Sequence, residues 1–256
     1  MPADNTAAKI AIVTGGSRGL GRATVQALAK RGVHTIFTYN SNRDEADKVV
    51  AGVKQTGAKA VALQLDTGAA GSFDAFVDGV RKALSDMGAD RFDYLVNNAG
   101  ISDHTAFDKV TEELLDKVYS VNFKGVFFLT QKLLPLINDG GRIINISTGL
   151  TRFTTPDTIP YASLKGAIEV FTHYLAKDLG PRGITVNAVA PGAIATDFSG
   201  GTVRDNPQIN KAVAGMTALG RVGEPEDIGM MLGLLLSDES RWVTGQRIEV
   251  SGGMNL

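Results

Sequence analysis

The sequence predicts an α/β protein built on a doubly wound parallel sheet of about seven strands with helices on both faces. Three observations lead there. Short apolar runs, mostly β-branched, alternate with longer amphipathic stretches along all 256 residues. Several runs are apolar at every position, as strands covered on both faces must be. No proline- or serine-rich linker and no charge block interrupts the alternation, so residues 1–256 read as a single domain.

The first strand is Ile10–Val13, which runs into a glycine-rich loop and then a helix over 20–30. Leu20, Ala23, Ala27 and Leu28 fall on one stripe of that helix. Strands are predicted next at 35–38, 60–65 and 94–96. A long helix follows over 112–136, then a strand at 142–146, a second long helix over 161–179, a strand at 184–190 and a last strand at Arg247–Val250. Repeated β-α-β steps specify parallel pairing. Two stretches break the rhythm. Residues 148–159 are threonine-rich and aperiodic, and 193–216 follow a strand and contain Gly200-Gly201 and Pro207. Loops after strand carboxyl ends surround the ligand crevice of such sheets, so both stretches are predicted walls, 193–216 covering the substrate.

Composition narrows the function classes. With no cysteine there is no disulfide framework, thiolate metal site or cysteine nucleophile. Lys+Arg number 26 against 27 Asp+Glu, which gives no electrostatic footprint for nucleic acid or an anionic membrane. The polar N-terminus lacks the apolar core of a secretory signal, and no apolar stretch approaches the ~20 residues of a membrane span. A cytoplasmic protein is expected. His34, His104 and His173 lack ligand spacing, so no metal is expected. The 30 glycines are aperiodic, which suggests places where backbone must approach something closely.

One such place is Thr14-Gly15-Gly16-Ser17-Arg18-Gly19-Leu20-Gly21, between the first strand and first helix. Glycines there allow a tight turn and let a pyrophosphate meet backbone N–H groups at the helix N-terminus. The spacing is G-x3-G-x-G. Charge then selects the dinucleotide. An acid at the end of the second strand suits the ribose hydroxyls of NAD, yet none occurs from His34 to Arg43. Asn40, Ser41, Asn42 and Arg43 supply neutral donors and a cation, and Arg18 supplies another. Guanidinium suits a 2′-phosphate, so NADP(H) is the expected cofactor.

Tyr161 and Lys165 stand one helical turn apart on one face. A free phenol titrates near ~10, and a neighbouring ammonium is expected to lower it toward neutrality. Ser147 ends the strand at 142–146, Asn122 lies in the preceding long helix, and Asn97-Asn98-Ala99-Gly100 follows another strand. Pro191-Gly192-Ala193-Ile194-Ala195-Thr196 follows the strand after the Tyr161 helix.

In this order and spacing the motifs resemble those of the short-chain dehydrogenase/reductase family, over essentially the whole chain from Lys9 to Ser251-Gly252-Gly253. The resemblance implies a Rossmann fold and a role for each matched residue. Gly15, Ser17, Gly19, Leu20 and Gly21 would cradle the pyrophosphate, while Asp66 and Thr67 would hold the adenine. Asn98, Ala99 and Gly100 would flank the adenosine ribose. Pro191 and Gly192 would line the cofactor, Ile194 would meet the carboxamide through its backbone, and Thr196 would lie near the phosphates. Tyr161 would be the acid/base, Ser147 would orient the substrate oxygen, Lys165 would bind the nicotinamide ribose, and Asn122 would hold a relay water.

These roles imply an oxidoreductase moving a hydride between NADP(H) and a ketone, aldehyde or secondary alcohol. The alternatives are a 3-oxoacyl-[acyl-carrier-protein] reductase, a glucose-type sugar dehydrogenase, and, in another class, a non-catalytic NADP-binding sensor. Arg182 fits a docking position for an acidic carrier, while Asp139 stands where a second cation would help. The likeness also implies a homotetramer built through the two long helices and the last strand. Val118, Phe123, Phe127 and Phe128 would serve either the core or a partner.

Overall fold

The computed structural model describes residues 8–256. Strands β1 (Ile10–Val13), β2 (His34–Tyr39), β3 (Ala60–Gln64), β4 (Phe92–Asn97), β5 (Ile137–Ile146), β6 (Thr185–Pro191) and β7 (Arg247–Val250) form one sheet. Their order is β3-β2-β1-β4-β5-β6-β7 and every pairing is parallel. The chain returns from the β3 edge to the centre between β1 and β4. Loops leaving these two neighbours therefore diverge, which opens a crevice at their carboxyl ends.

Helices α1 (Gly19–Lys30), α2 (Arg43–Lys54), α3 (Phe73–Met87), α4 (Glu112–Tyr119), α5 (Gly125–Leu133), α6 (Ile159–Leu179), α7 (Thr202–Asp205), α8 (Pro207–Gly215) and α9 (Pro225–Leu235) complete the frame. Alternation along β1 divides the core in two. Ile10 and Ile12 join a cluster with Phe73, Phe76 and Leu84 of α3, Leu129 and Leu133 of α5 and Leu179 of α6. Ala11 and Val13 join the opposite cluster with Val25 and Leu28 of α1, Val49 and Val53 of α2, and Ile228 and Leu232 of α9. A strand covered on both sides has no polar face to show, which is why these runs read as continuously apolar.

Two expected elements differ from the structure by more than two residues at an end. The helix expected over 112–136 is not continuous: α4 opens into a π-helical turn at Ser120–Lys124 before α5 resumes, and a 3₁₀ turn at Leu134–Leu136 ends it. Asn122 causes the widening. Its Nδ2 donates to the Val118 carbonyl at 3.0 Å, taking an acceptor from the helical ladder, and also to Ile101 O at 2.9 Å. Such single π turns concentrate at functional sites. The strand expected at 142–146 begins earlier, at Ile137, because Asn138 to Gly141 form an irregular step against β4.

Candidate active site

The nucleotide cradle is built mostly of backbone. The loop after β1 folds back so tightly that a Cβ on Gly21 would stand 2.1 Å from Gly15 O. Thr38 of β2 holds the loop from beneath, with Gly15 N donating to its Oγ1 at 2.9 Å and Gly16 N to its carbonyl at 2.8 Å. Thr14 ties the loop to the segment after β4. Its Oγ1 accepts from Asn98 N at 2.9 Å and Ala99 N at 3.0 Å, while Asn98 Nδ2 donates to Thr14 O at 2.8 Å. Thr14 is a bracing residue that the motif alone did not single out.

The start of α1 fits a phosphate. Arg18 at its N-cap makes no side-chain capping bond, and the first turn carries no acid. Its first N–H groups therefore lack a local acceptor and repel no anion. Thr196 lies against this turn, its Cβ 3.6 Å from where a Gly19 side chain would begin. Ile194 bridges to Gly223, Pro191 ends β6, and Gly192 N donates to Val250 O at 3.1 Å. Ser17 is buried in the loop.

Beyond β2, Asn40, Ser41, Asn42 and Arg43 are all exposed, as is Arg18. Asn42 caps α2 through Oδ1, and Arg43 Nε stands 3.7 Å from Asp47. Asp66 accepts from Gly68 N at 2.8 Å, and Thr67 O lies where a Gly125 side chain would collide, at 2.1 Å.

On the other side of the crevice, α6 runs back along the end of β5 and makes a ladder of side-chain contacts. Asn145 Nδ2 donates to Thr172 Oγ1 at 2.9 Å, Ser147 Oγ to Glu169 Oε1 at 2.6 Å, and Lys165 Nζ to Ile146 O at 2.7 Å. Thr148 Oγ1 accepts from Leu150 N at 3.3 Å, and this hydroxyl is near enough to Tyr161 to oppose the rise of its phenol. Ser147, expected to orient the substrate oxygen, instead gives its hydroxyl proton to Glu169 here. Asn145 on β5 and Ser147 just past its end are two residues apart in extended chain, so both turn to the middle of α6, and the next residue, Thr148, turns the other way. A signal was present: Glu169 lies about two turns beyond Tyr161, an acid on a facing stripe that needs a donor.

Lys165 Nζ sits 5.7 Å from the Tyr161 ring centroid, and Gly100 brings Asn122 beside it. A Cβ on Gly100 would stand 2.8 Å from Asn122 Oδ1 and 3.6 Å from Lys165 Nζ. Asn122 Oδ1 also accepts from Ile101 N at 3.2 Å. The expected lowering of the phenol is not what the structure gives. Burial pushes Tyr161 up to about 12, with the Thr148 hydrogen bond opposing, and burial brings Lys165 down to about 8. Desolvation disfavours charge on both groups.

The two aperiodic stretches bring aromatic side chains to this end of the sheet. The Phe198 ring centroid lies 5.9 Å from that of Tyr161. Phe153, Ala193, Ala195 and Val203 pack around Val213, Val222 and Met254. Ser102 and Ser199 hydroxyls, 2.8 Å apart, join the loop after β4 to the cover. Among the described residues, no group of His, Asp and Glu side chains has the geometry of a metal site, and no helix is long and apolar enough to cross a membrane.

This combination of crevice, glycine cradle and Tyr-Lys-Asn cluster agrees with the comparisons to known proteins. The family model described as Enoyl-(Acyl carrier protein) reductase matches residues 15–255. The chain belongs to the short-chain dehydrogenase/reductase family. It is 37% identical over 259 residues to versicolorin reductase stcU of Emericella nidulans, covering 96% of this chain and 95% of that protein. Among solved structures, the promiscuous reductase LugOII, which catalyses keto-reduction at C1 during lugdunomycin biosynthesis, superposes with a TM-score of 0.91. Identity there is 43%, with 96% of each chain covered. The angucycline C-6 ketoreductase LanV with bound NADP gives a TM-score of 0.92 at 37% identity, covering 96% and 95%.

Proposed function

We propose that this family member is an NADPH-dependent ketoreductase whose substrates are fused-ring aromatic ketones. The observation that carries the reading is the Tyr161 phenol, buried between Thr148 and Lys165 and flanked by the Phe198 ring at 5.9 Å. NADPH supplies the hydride when bound. A phenol raised to about 12 stays protonated at neutral pH, the form needed to give a proton to a carbonyl oxygen. Lys165, charged below about 8, stabilises the phenolate left behind. Thr148 takes the role expected of Ser147 and donates to the reacting oxygen as a preorganised hydroxyl.

Asn122 has both ends of its amide engaged, so it serves the proton path by fixing the 100–101 turn beside Lys165. Gly15, Ser17, Gly19, Leu20, Gly21 and Thr196 would hold the pyrophosphate, Asp66 and Thr67 the adenine, and Asn98, Ala99 and Gly100 the ribose. Pro191, Gly192 and Ile194 would line the nicotinamide side. Arg18 and Arg43, with Asn40, Ser41 and Asn42, would receive the 2′-phosphate. Residues 193–216 form the cover over one catalytic unit.

The aromatic reading rests on Phe198 and Phe153 in the walls, and it agrees with relatives named versicolorin reductase, tetrahydroxynaphthalene reductase and angucycline C-6 ketoreductase. Carrier-protein docking is weakened because Arg182 is engaged internally. It bonds Asp139 at 2.7 Å, Ile137 O at 2.7 Å and Leu134 O at 3.2 Å. NADPH oxidation against fused-ring ketones, β-ketoacyl thioesters and sugars tests the assignment. The highest kcat/KM is expected with the fused rings; a preference for thioesters overturns it.

The exposed Tyr119, Phe128, Val170 and Tyr174 around the α4–α6 face support a homotetramer. Sedimentation at micromolar concentration is expected to show it, and a clean monomer contradicts it.

A further inference from the structure

β5 ends at Ile146, and Thr148, which carries the reacting hydroxyl, lies beyond it as the extended N-cap of a short 3₁₀ turn at Gly149–Thr151. One backbone bond, Ser147 N to Val189 O at 2.7 Å, still ties this turn to the sheet. Its shape depends on side chains. Glu169 Oε1 accepts from Ser147 Oγ at 2.6 Å, from Thr151 Oγ1 at 2.7 Å and from Arg247 Nε at 2.9 Å. One donor precedes Thr148 and another follows it by three residues, so a single carboxylate oxygen clamps both sides. Arg247 adds a third hold, its Nη2 donating to the Thr148 carbonyl at 3.2 Å.

We propose that Glu169, paired with Arg247, is a positioning residue for the reaction: it sets the 147–151 turn so that the Thr148 hydroxyl faces Tyr161. This rests on Thr148 being the orienting hydroxyl. The pair is shielded from water, with side chains 16% and 22% exposed, so its charge-assisted bonds hold the turn more firmly than neutral ones. Arg247 is itself held by Glu249 at 3.1 Å. Glu249 also binds Arg152, whose Nη1 donates to Asn255 O at 2.9 Å. The turn is thereby anchored to the last strand and the C-terminal tail. A hydroxyl displaced by about 1 Å from its productive place costs on the order of 10²-fold in rate, which is the scale available to such a clamp.

Glu169→Gln keeps the shape and an acceptor oxygen but removes the charge. Its expected effect is a fall in kcat of about tenfold to a hundredfold, with the NADPH dissociation constant unchanged. Placed on Thr148→Ala, the same substitution is expected to cost less than about twofold, because no hydroxyl remains to be oriented. Thr151→Val removes one donor from the clamp, and its smaller loss should vanish on that background too. This second variant serves if Glu169→Gln fails to fold. A Glu169→Gln kcat within about twofold of the parent overturns the proposal. An equal factor on both backgrounds overturns it as well, since it would assign Glu169 to general stability. If Thr148→Ala alone leaves kcat intact, the reading of Thr148 fails and this inference with it.

Discussion

The two halves of the crevice are built by different means. On the β1–β4 side, the nucleotide cradle is backbone held by backbone and by uncharged side chains: Gly21 against Gly15 O, Gly15 N on Thr38, Asn98 and Ala99 on Thr14. On the β5–β7 side, the reacting groups are placed by side chains that include buried and half-buried charges: Lys165 on Ile146 O, Glu169 on Ser147, Arg247 on Thr148 O. A cradle of the first kind depends on which positions lack a Cβ, and glycine spacing announces it. A site of the second kind depends on which of two adjacent hydroxyls a strand end turns inward, and spacing does not.

Perturbing each half should produce a different signature. The largest effect is expected from Tyr161→Phe, which removes the proton donor but no nucleotide contact made by backbone. Turnover should fall about 10³-fold or more while NADPH affinity stays within about twofold, as measured by steady-state kinetics and fluorescence titration. Residual kcat above about a tenth would refute the assignment.

Gly21→Ala should show the reverse pattern. Its Cβ would meet Gly15 O at 2.1 Å, so the loop must open. NADPH binding is expected to weaken at least about tenfold, with about 1–3 kcal/mol of stability lost to overpacking. Unchanged affinity and Tm would show that the loop tolerates the strain.

Smaller still is the pH response of the charged half. Lys165 is brought down to about 8, so the ammonium is complete below that pH and lost above it, while Tyr161 keeps its proton. Reductive kcat should be level at and below neutrality and fall above about pH 8. A curve level well past pH 8 would remove Lys165 from the proton chemistry. The smallest change is expected from Arg18→Ala and Arg43→Ala, exposed on the cradle rim. Each should lower the NADPH-over-NADH ratio of kcat/KM by up to about tenfold, with Tm unmoved.

The sheet was legible in the sequence because parallel strands covered on both faces leave unbroken apolar runs, and Ile10–Val13 has the expected bounds. The helix over 112–136 was not, because its interruption comes from one asparagine side chain bonding back to Val118. The rise of the phenol was not legible for a related reason. Helical spacing places an ammonium near Tyr161 but does not reveal that both groups are buried, and burial disfavours charge on each. Ser147 and Thr148 are adjacent and chemically alike, and only the surroundings of each tell them apart: Ser147 donates to Glu169, and the Thr148 hydroxyl lies toward the Tyr161 phenol.

That distinction is tested most directly by comparing kcat for Thr148→Val and Ser147→Ala with one ketone substrate. Thr148→Val is expected to lose about 10²–10³-fold, as when an oxyanion donor is removed. Ser147→Ala, which loosens one of three bonds to Glu169, is expected to lose less than about fivefold. The opposite ranking, with Ser147→Ala inactive and Thr148→Val close to the parent, would contradict the account.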